Sequence, residues 1–362
     1  MAHEAQVRYS DLVLAKLRAE LVLADGFVFN NDYEGDPKAG AVKIPVRDTE
    51  VAVSDYDKAN GLAPTNGSTS YTTLVIDKDK AVNEVIDGYD AASVPDNLVA
   101  DRLDSAGYSL ARQLDTDGAT ALLAGATAMS IASLTKDNIY SNIVDIRTAM
   151  SKADVPDDGK RYLLVTPDTF ALILKSPEFI SASDLGDTVK QNGILGKIGG
   201  FLVKEWNDST ANLAMIAGHP RYATRVHEWS VPVKVQDLAQ SGDYIGACAV
   251  QGRRVYGHKV LRATAIRAVY APGTLTVSLA ASDAGKTIVT VTAGNTGTTY
   301  KYTKNPASRV PYGDAYSGGT SLTSGTTKIA VAEGDVLEIA NLSSSKVVAV
   351  AYVTVTAADI GS

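Results

Sequence analysis

The chain changes character at Ala271-Pro272, so its fold must join two segments of different physical type. Residues 1–271 carry 63 of the 75 charged side chains and the whole net charge of −7. Residues 272–362 carry six positive and six negative charges, and 35 of these 91 residues are Thr, Ser or Gly. A charged body is followed by a neutral, β-patterned module. With 362 residues in all, each piece is long enough to bury a core of its own.

The charge balance excludes a nucleic-acid reader that works through a basic surface, although an acidic protein is suited to enclosing nucleic acid without sticking to it. Cys248 is the sole cysteine, so the fold does not depend on an intramolecular disulfide. His3, Glu4, Arg8, Asp11, Lys16 and Arg18 interrupt any apolar run of the signal-peptide kind. The uncharged stretch 118–134 is rich in Ala, Gly, Ser and Thr and falls short of a membrane span. Cytoplasmic synthesis is the expectation.

Along the body, Leu12, Leu14, Leu17, Leu21 and Val22 predict an amphipathic helix or arm over 7–23. Val42, Ile44 and Val46 alternate with Lys43, Pro45 and Arg47, and Pro45 demands a strand with a free side. A return strand fits 71–77. The polar stretch 48–70 between them is long for a compact domain and reads as a protruding hairpin that packs outside its own core. The longest helix is expected over 94–125, with Leu98, Leu103, Ala106, Leu110, Leu114 and Leu122 on or near one stripe. A second is expected over 136–152, capped by Thr135, with Ile139, Ile143, Ile146 and Met150 as its core face. Strands fit 162–165, 201–203, 212–217, 231–236, 244–250 and 260–269, which makes the body α+β.

The tail alternates at Leu275, Val277 and Leu279 and again at Tyr300 and Tyr302, with further strands over 287–292, 327–331, 335–340 and 346–356. Short strands separated by Gly, Asn and Ser turns predict an all-β sandwich of immunoglobulin-like type, with 304–326 as a polar insertion.

No catalytic constellation emerges. His3, His219, His227 and His258 lack metal-pair spacing. Asp115-Thr116-Asp117-Gly118 imitates a calcium loop without its distal Glu and reads as the solvated end of a helix. Asp154, Asp157 and Asp158 sit in a Pro156/Gly159 turn. The glycines at 193, 196, 199 and 200 lead into the strand Phe201-Leu202-Val203, where a phosphate cradle needs a helix, so they read as a turn. No catalytic, cofactor or metal site is expected.

The order of parts resembles the major capsid protein of tailed bacteriophages, whose fold is named after phage Hong Kong 97. The resemblance covers about 5–270. It is carried by Val82–Asp87 leading into Val94–Ala124, by Arg161–Pro167, by Gly193–Val203 followed by Trp206-Asn207, and by Gly252–Gly257 ahead of Val260–Val269.

That resemblance implies an N-terminal arm over about 1–40, an extended loop over 41–80, and a peripheral domain with a spine helix over 81–134. A mainly axial domain over 135–260 and a return strand over 261–271 would complete the body, with 272–362 an outward-facing accessory sandwich. Lys43, Arg47, Asp57, Lys58, Asn60 and Tyr71 would touch a neighbouring subunit. The implied function is a structural subunit that assembles through hexamers and pentamers into an icosahedral or prolate head. That head would enclose double-stranded DNA without sequence-specific binding, with a portal and scaffold or cement proteins as partners and no membrane. The virion is the implied location, after synthesis in the host cytoplasm. Two alternatives share parts of the pattern: an encapsulin-like nanocompartment shell, and an enzyme carrying a carbohydrate-binding β module.

Overall fold

The computed structural model describes residues 16, 18–23, 25–37, 39–46, 51, 53–62, 69–93, 97–177, 196–238, 243–294 and 297–361. The chain forms two compact units, one of Met1–Gly125 with Pro220–Ala263 and one of Ala126–His219 with Thr264–Ser362.

In the first unit, β1 (Ala41–Val46) and β2 (Ser70–Val75) make a two-stranded antiparallel ribbon, so Pro45, opposite Tyr71, costs no ladder hydrogen bond on a second side. Alternation sorts its faces. Ile44 and Leu74 are buried against Val226, with Tyr33, Val42, Ile76 and Leu261 around them. Lys43, Pro45, Tyr71 and Val75 are exposed on the other face.

Strand β3 (Lys78–Ile86), the short helix α1 (Gly88–Ser93) and the long helix α2 (Leu98–Gly125) follow. Val94 and Pro95, expected to open the long helix, lie outside the described residues. At 28 residues α2 is about 42 Å long. Ala106, Leu110, Leu114, Gly118 and Leu122 recur every fourth residue and are buried. Late in the sequence the chain returns to this unit as β9 (Ala223–Asp237) and β10 (Cys248–Val260), numbered along the whole chain, in the antiparallel order β3-β10-β9. One face of this sheet, with Val82, Ile86, Val233 and Val250, packs on Leu98, Val99, Leu103 and Ala106.

The helix expected over 7–23 does not form in its described part: 18–23 carry no helix. The segment runs extended along α2. Lys16 pairs with Asp101 and Arg18 with Asp104. The Tyr108 hydroxyl donates to the Ala19 carbonyl, and the Leu23 amide donates to Asp115 Oδ2 at 3.3 Å. Seven extended residues and fourteen helical ones both advance about 22 Å, so these contacts stay in step. Val22 and Leu23 are buried by this lie rather than by a helical stripe.

The second unit opens with β4 (Thr127–Ser130), α3 (Ile139–Lys152), β5 (Tyr162–Val165), α4 (Pro167–Leu174), β6 (Lys197–Ile198), β7 (Phe201–Glu205) and β8 (Leu213–Gly218). With β11 (Arg267–Tyr270) they give a mixed sheet in the order β4-β11-β8-β5-β7-β6. Every residue of β5 and β8 is buried, as their unbroken apolar runs require of central strands. Ile139, Ile143, Ile146 and Met150 form the buried face of α3, as the spacing predicts. The Thr135 carbonyl accepts from the amides of Asn138 and Ile139, so Thr135 opens the turn and the helix proper begins later. Gly199 and Gly200 have φ of +54° and +89° and join β6 to β7 as a tight hairpin, the turn the glycines predict. The strand expected over 260–269 is divided: β10 ends at Val260, a 3-10 turn covers Ala263–Ala265, and β11 begins at Arg267.

The tail adds β12 (Gly273–Thr274), β13 (Thr276–Ala281), β14 (Lys286–Ala293), β15 (Thr299–Lys304), β16 (Thr320–Leu322), β17 (Lys328–Ala330), β18 (Val336–Ser343) and β19 (Lys346–Thr354). They form a five-stranded sheet, β12-β19-β18-β15-β16, and a three-stranded sheet, β13-β14-β17. Val289 and Ile329 from one sheet meet Leu337, Ile339, Ala349 and Ala351 from the other in a shared core. The expected insertion 304–326 contributes β16, and its Tyr316 is buried on the five-stranded sheet with Ala340, Leu342, Val347 and Val350.

The compositional boundary at 271–272 is crossed by specific contacts within the second unit. Asn212 donates from Nδ2 to the carbonyls of Ala271 (3.1 Å) and Val348 (2.9 Å). The Tyr312 amide donates to the Ile131 carbonyl, Arg309 donates to Ser133 Oγ, and the rings of Tyr270 and Tyr312 stack at 5.9 Å. The tail is held through several hydrogen bonds rather than by its connecting peptide alone.

Candidate assembly surface

Between β1 and β2 the described loop residues are 51, 53–62 and 69. Asp57 organises their only described turn. Its Oδ1 accepts the Ala59 amide at 2.9 Å, its Oδ2 accepts Asn60 Nδ2 at 2.6 Å, and its carbonyl accepts the Gly61 amide. The Ala59 amide and the Asn60 side chain hold the Asp57 carboxyl below its ordinary value. Asp57 and Asn60 are therefore committed to local shape. Lys43, Lys58 and Tyr71 are exposed, and Arg47 lies outside the described residues.

The apolar side chains of this loop are absent from the contacts that the resemblance implies. Val51 is 84% exposed, Val53 98%, Tyr56 71% and Leu62 53%. Tyr71 and Val75 are exposed with them, while Ile44 and Leu74 on the opposite face of β1 and β2 are buried in this unit. The signal was present: four large apolar residues in a stretch otherwise polar enough to be a loop. Isolated exposed hydrophobics need no explanation, but six on one hairpin fit an interaction surface.

The same unit holds a buried polar cluster between the arm, α2 and the β9-β10 pair. Arg225 on β9 is 2% exposed and donates to Asp25 Oδ1 at 2.9 Å and to His258 Nε2 on β10 at 2.9 Å. Its guanidinium lies over the Phe29 ring, 4.7 Å from the centroid, and Asp115 of α2 stands 3.9 Å away. His227 reaches Asp25, and Tyr256 donates to Asp117 at 2.8 Å. Asp115 and Asp117 thus lie in the middle of α2 and serve internal contacts, which corrects their reading as a solvated helix end. His227 and His258, which lack metal-pair spacing in the sequence, share the cluster because β9 and β10 pair there. Burial raises the Asp115 carboxyl. Burial also acts upward on Asp25, but the His227 ring and the Arg225 charge outweigh it and hold that group low. Burial, then the Arg225 charge, push His258 down to about 3, which leaves it neutral. In the unfolded chain it takes up a proton below about pH 6.5. Stability of this unit is therefore expected to be full above pH 6.5 and to fall toward pH 3, by up to about 1.4 kcal/mol per pH unit from this group. His258→Gln should flatten that limb in urea titrations at pH 4, 5 and 7.

The acidic turn Asp154–Asp158 is structural as expected: Asp157 pairs with Arg147 and Asp158 with His219, each within 3.0 Å. Among the described residues no group of His, Cys, Asp and Glu could hold a metal ion, and no helix is long and apolar enough to cross a membrane.

A long helix packed on an antiparallel sheet, with a hairpin that leaves large apolar side chains exposed, is an arrangement suited to a subunit of a larger assembly. The chain belongs to the phage capsid protein family, whose model matches residues 82–269, just over half its length. Among solved structures, a chain of Mycobacterium phage Che8 is 24% identical with a TM-score of 0.62, covering 73% of this chain and 96% of that one. The capsid of cyanophage P-SCSP1u gives 13% identity and a TM-score of 0.60, covering 73% of this chain and 92% of its own. The capsid of Myoviridae phage XM1 gives 17% and 0.52, with coverage of 73% and 96%. No curated protein matches the sequence. The protein is a structural major capsid protein of a bacteriophage, part of the virion, with the fold named after phage Hong Kong 97, and it is not an enzyme.

Proposed function

We propose that copies of this chain form hexamers and pentamers of an icosahedral or prolate head around double-stranded DNA, with the 51–62 loop lying on a neighbouring copy. The observation that carries the clamp is the exposure of Val51, Val53, Tyr56 and Leu62 on an otherwise anchored ribbon. Lys43, Arg47, Lys58 and Tyr71 would flank that contact, while Asp57 and Asn60 shape the turn that presents it. The net charge of −7 suits a wall that must release its contents. A portal, scaffold or cement proteins, and synthesis in the host cytoplasm complete the reading.

The first unit, with α2 and the β3-β10-β9 sheet, would be the peripheral domain. The six-stranded sheet of the second would be the axial domain. Residues 220–263 pack with α2 rather than with 135–219, which favours moving that stretch out of the axial part. For the tail we propose an immunoglobulin-like accessory domain. Its seven main strands, β13 to β19, put the first, second and fifth in one sheet and the third, fourth, sixth and seventh in the other. This is the A-B-E against C-F-G division of that class, with the fourth strand on the second sheet. The capsids similar to this chain cover about three quarters of it, a share close to that of residues 1–271, which is consistent with an added module.

Electron microscopy of the purified protein tests the whole reading: closed shells are expected. A monomer by sedimentation under every assembly condition would refute it. A nanocompartment is not favoured, because the family and the similar structures are phage capsids. Nuclease-protected DNA in the particle, rather than a packaged enzyme, would separate the two.

A further inference from the structure

We propose that residues 305–319 are a pH-operated latch between the tail and the body, closed while the buried carboxyl of Glu338 beneath it is protonated and loosened when that carboxyl ionises. The latch concerns how the tail is seated on its own chain and does not depend on shell formation.

Glu338 sits where a carboxylate would ordinarily meet water. Alternation along β18 sends Leu337 and Ile339 into the core between the two tail sheets, which leaves Glu338 and Ala340 on the other face of the five-stranded sheet. There Glu338 lies between Thr303 of β15 and Tyr352 of β19. It is nevertheless 1% exposed, and its Oε2 has no hydrogen-bond partner. The cover is Tyr316, which is buried on this face. The Tyr316 hydroxyl is 2.7 Å from Thr303 Oγ1, and its ring rests on Gly319, where a Cβ would lie 2.7 Å from Cε1. The one cation that acts on Glu338, Arg309, is engaged elsewhere. It donates to Ser133 Oγ at 2.8 Å and lies over the Tyr352 ring, 4.3 Å from the centroid.

Burying a carboxylate costs far more than burying the neutral acid. Burial therefore pushes the Glu338 carboxyl upward, and Tyr316, Tyr352 and the Arg309 charge oppose that push without cancelling it. A group raised in the folded state contributes stability that is full below its unfolded value, about pH 4.3, and is lost as pH rises through the folded value. The ionised form regains water at least cost by lifting Tyr316. The alternative is to break the ladders to β15 and β19, whereas 314, 315 and 317–319 around Tyr316 are already exposed. Lifting this segment slackens what it carries to the body: the Tyr312 amide on the Ile131 carbonyl, the Tyr270–Tyr312 stack and the Arg309–Ser133 bond.

The groups facing Glu338 do not titrate near neutrality. Arg309 stays charged, the Tyr316 hydroxyl is pushed up to about 12, the Tyr352 hydroxyl is also raised, and β15 presents the neutral Thr303. Asp335, which bonds Asn305 at the start of the segment, is held at about 2. Residues 272–362 contain no histidine or cysteine.

Hydrogen exchange of the full-length protein at pH 5 and pH 8, corrected for the intrinsic chemical rate, tests the latch. Each pH unit separating the folded from the unfolded value is worth about a factor of ten in the opening equilibrium. Protection at the Tyr312, Gly313 and Tyr316 amides is expected to fall about tenfold or more from pH 5 to pH 8, while that of β5 holds. Glu338→Gln, uncharged at both pH values, should show equal protection at the two. Glu338→Met serves as a second uncharged variant if the amide disturbs folding. Unchanged wild-type protection across this range, or the same fall in either folded variant, would overturn the proposal.

Discussion

Replacing Val53 and Tyr56 together by aspartate is expected to abolish shell formation while leaving the subunit folded. Both effects follow from the same exposures. At 98% and 71% exposed, neither side chain supports its own unit, and surface substitutions away from special contacts change stability by about 0.5 kcal/mol or less. In the shell the same atoms would be buried on a neighbour. Fully burying an apolar side chain of this size contributes about 1.5–3 kcal/mol, so losing two removes about 3–6 kcal/mol from every copy of the contact. The introduced carboxylates add a desolvation cost in the same direction. Each 1.4 kcal/mol is about a factor of ten in an association constant, so the concentration needed for assembly should rise at least a hundredfold. Sedimentation velocity would read the loss of particles, and the circular dichroism melt of the unassembled subunit should be unchanged. Normal particles at ordinary concentration would show that the loop is not a clamp. Lys58→Ala should have a far smaller effect, because an exposed charge at an interface rim acts mainly on encounter rate.

Sequence legibility varied with how local the deciding physics is. Ile139, Ile143, Ile146 and Met150 announce α3 because one helix face and one core suffice. Tyr162–Val165 announces β5 because a central strand is apolar on both sides. Gly199-Gly200 announces a hairpin because both positions need positive φ. The arm over 18–23 is extended although Leu21 and Val22 also fit a helical stripe, because the groove along α2 that holds it is made by residues about 90 positions away.

Strand β10 was broken up in the reading for a related reason. Gly252 and Gly257 look like interruptions, yet each allows close approach. A Cβ at Gly252 would lie 2.7 Å from Val233 Cγ2, and one at Gly257 would lie 2.6 Å from the Val75 carbonyl oxygen. The polar cluster around Arg225 left only a faint trace, Arg225 and His227 on one alternation and Tyr256 and His258 on another. Its acidic members come from the arm and from mid-helix, where no local pattern marks them. For the assembly surface, the hairpin was legible from its length, but its active part was sought among charges and hydrogen-bonding groups. Asp57 and Asn60 are spent on the turn itself, and under the proposed clamp the exposed valines and Tyr56 would carry the contact.

Arg225→Met is expected to destabilise the first unit by about 3–5 kcal/mol, the usual loss when one member of a buried ion pair is removed. The side chain is 2% exposed and serves four neighbours at once: Asp25 of the arm, His258 of β10, the Phe29 ring and the nearby Asp115 carboxylate. Without the guanidinium, Asp25 keeps its charge in a half-buried site with only His227 beside it, and Asp115 loses its nearest cation. For a unit of this size such a loss lowers the melting midpoint by roughly 10 °C or more. Lysine should not restore it, because an ammonium cannot span Asp25 and His258 as a planar fork while stacking on Phe29.

Two comparisons isolate the cause. Combining Arg225→Met with Asp25→Asn should cost less than the sum of the single changes, since the second removes the charge that the first left unpaired. Arg253 on the adjacent strand provides the exposed counterpart: it also pairs with an aspartate, Asp79, and lies over an aromatic ring, Trp229, but both members of that pair are about half exposed. Arg253→Met should give no resolvable change in denaturation of the unassembled subunit. Equal losses at the two arginines would mean that burial of the Arg225 cluster is not what holds the arm against the spine helix.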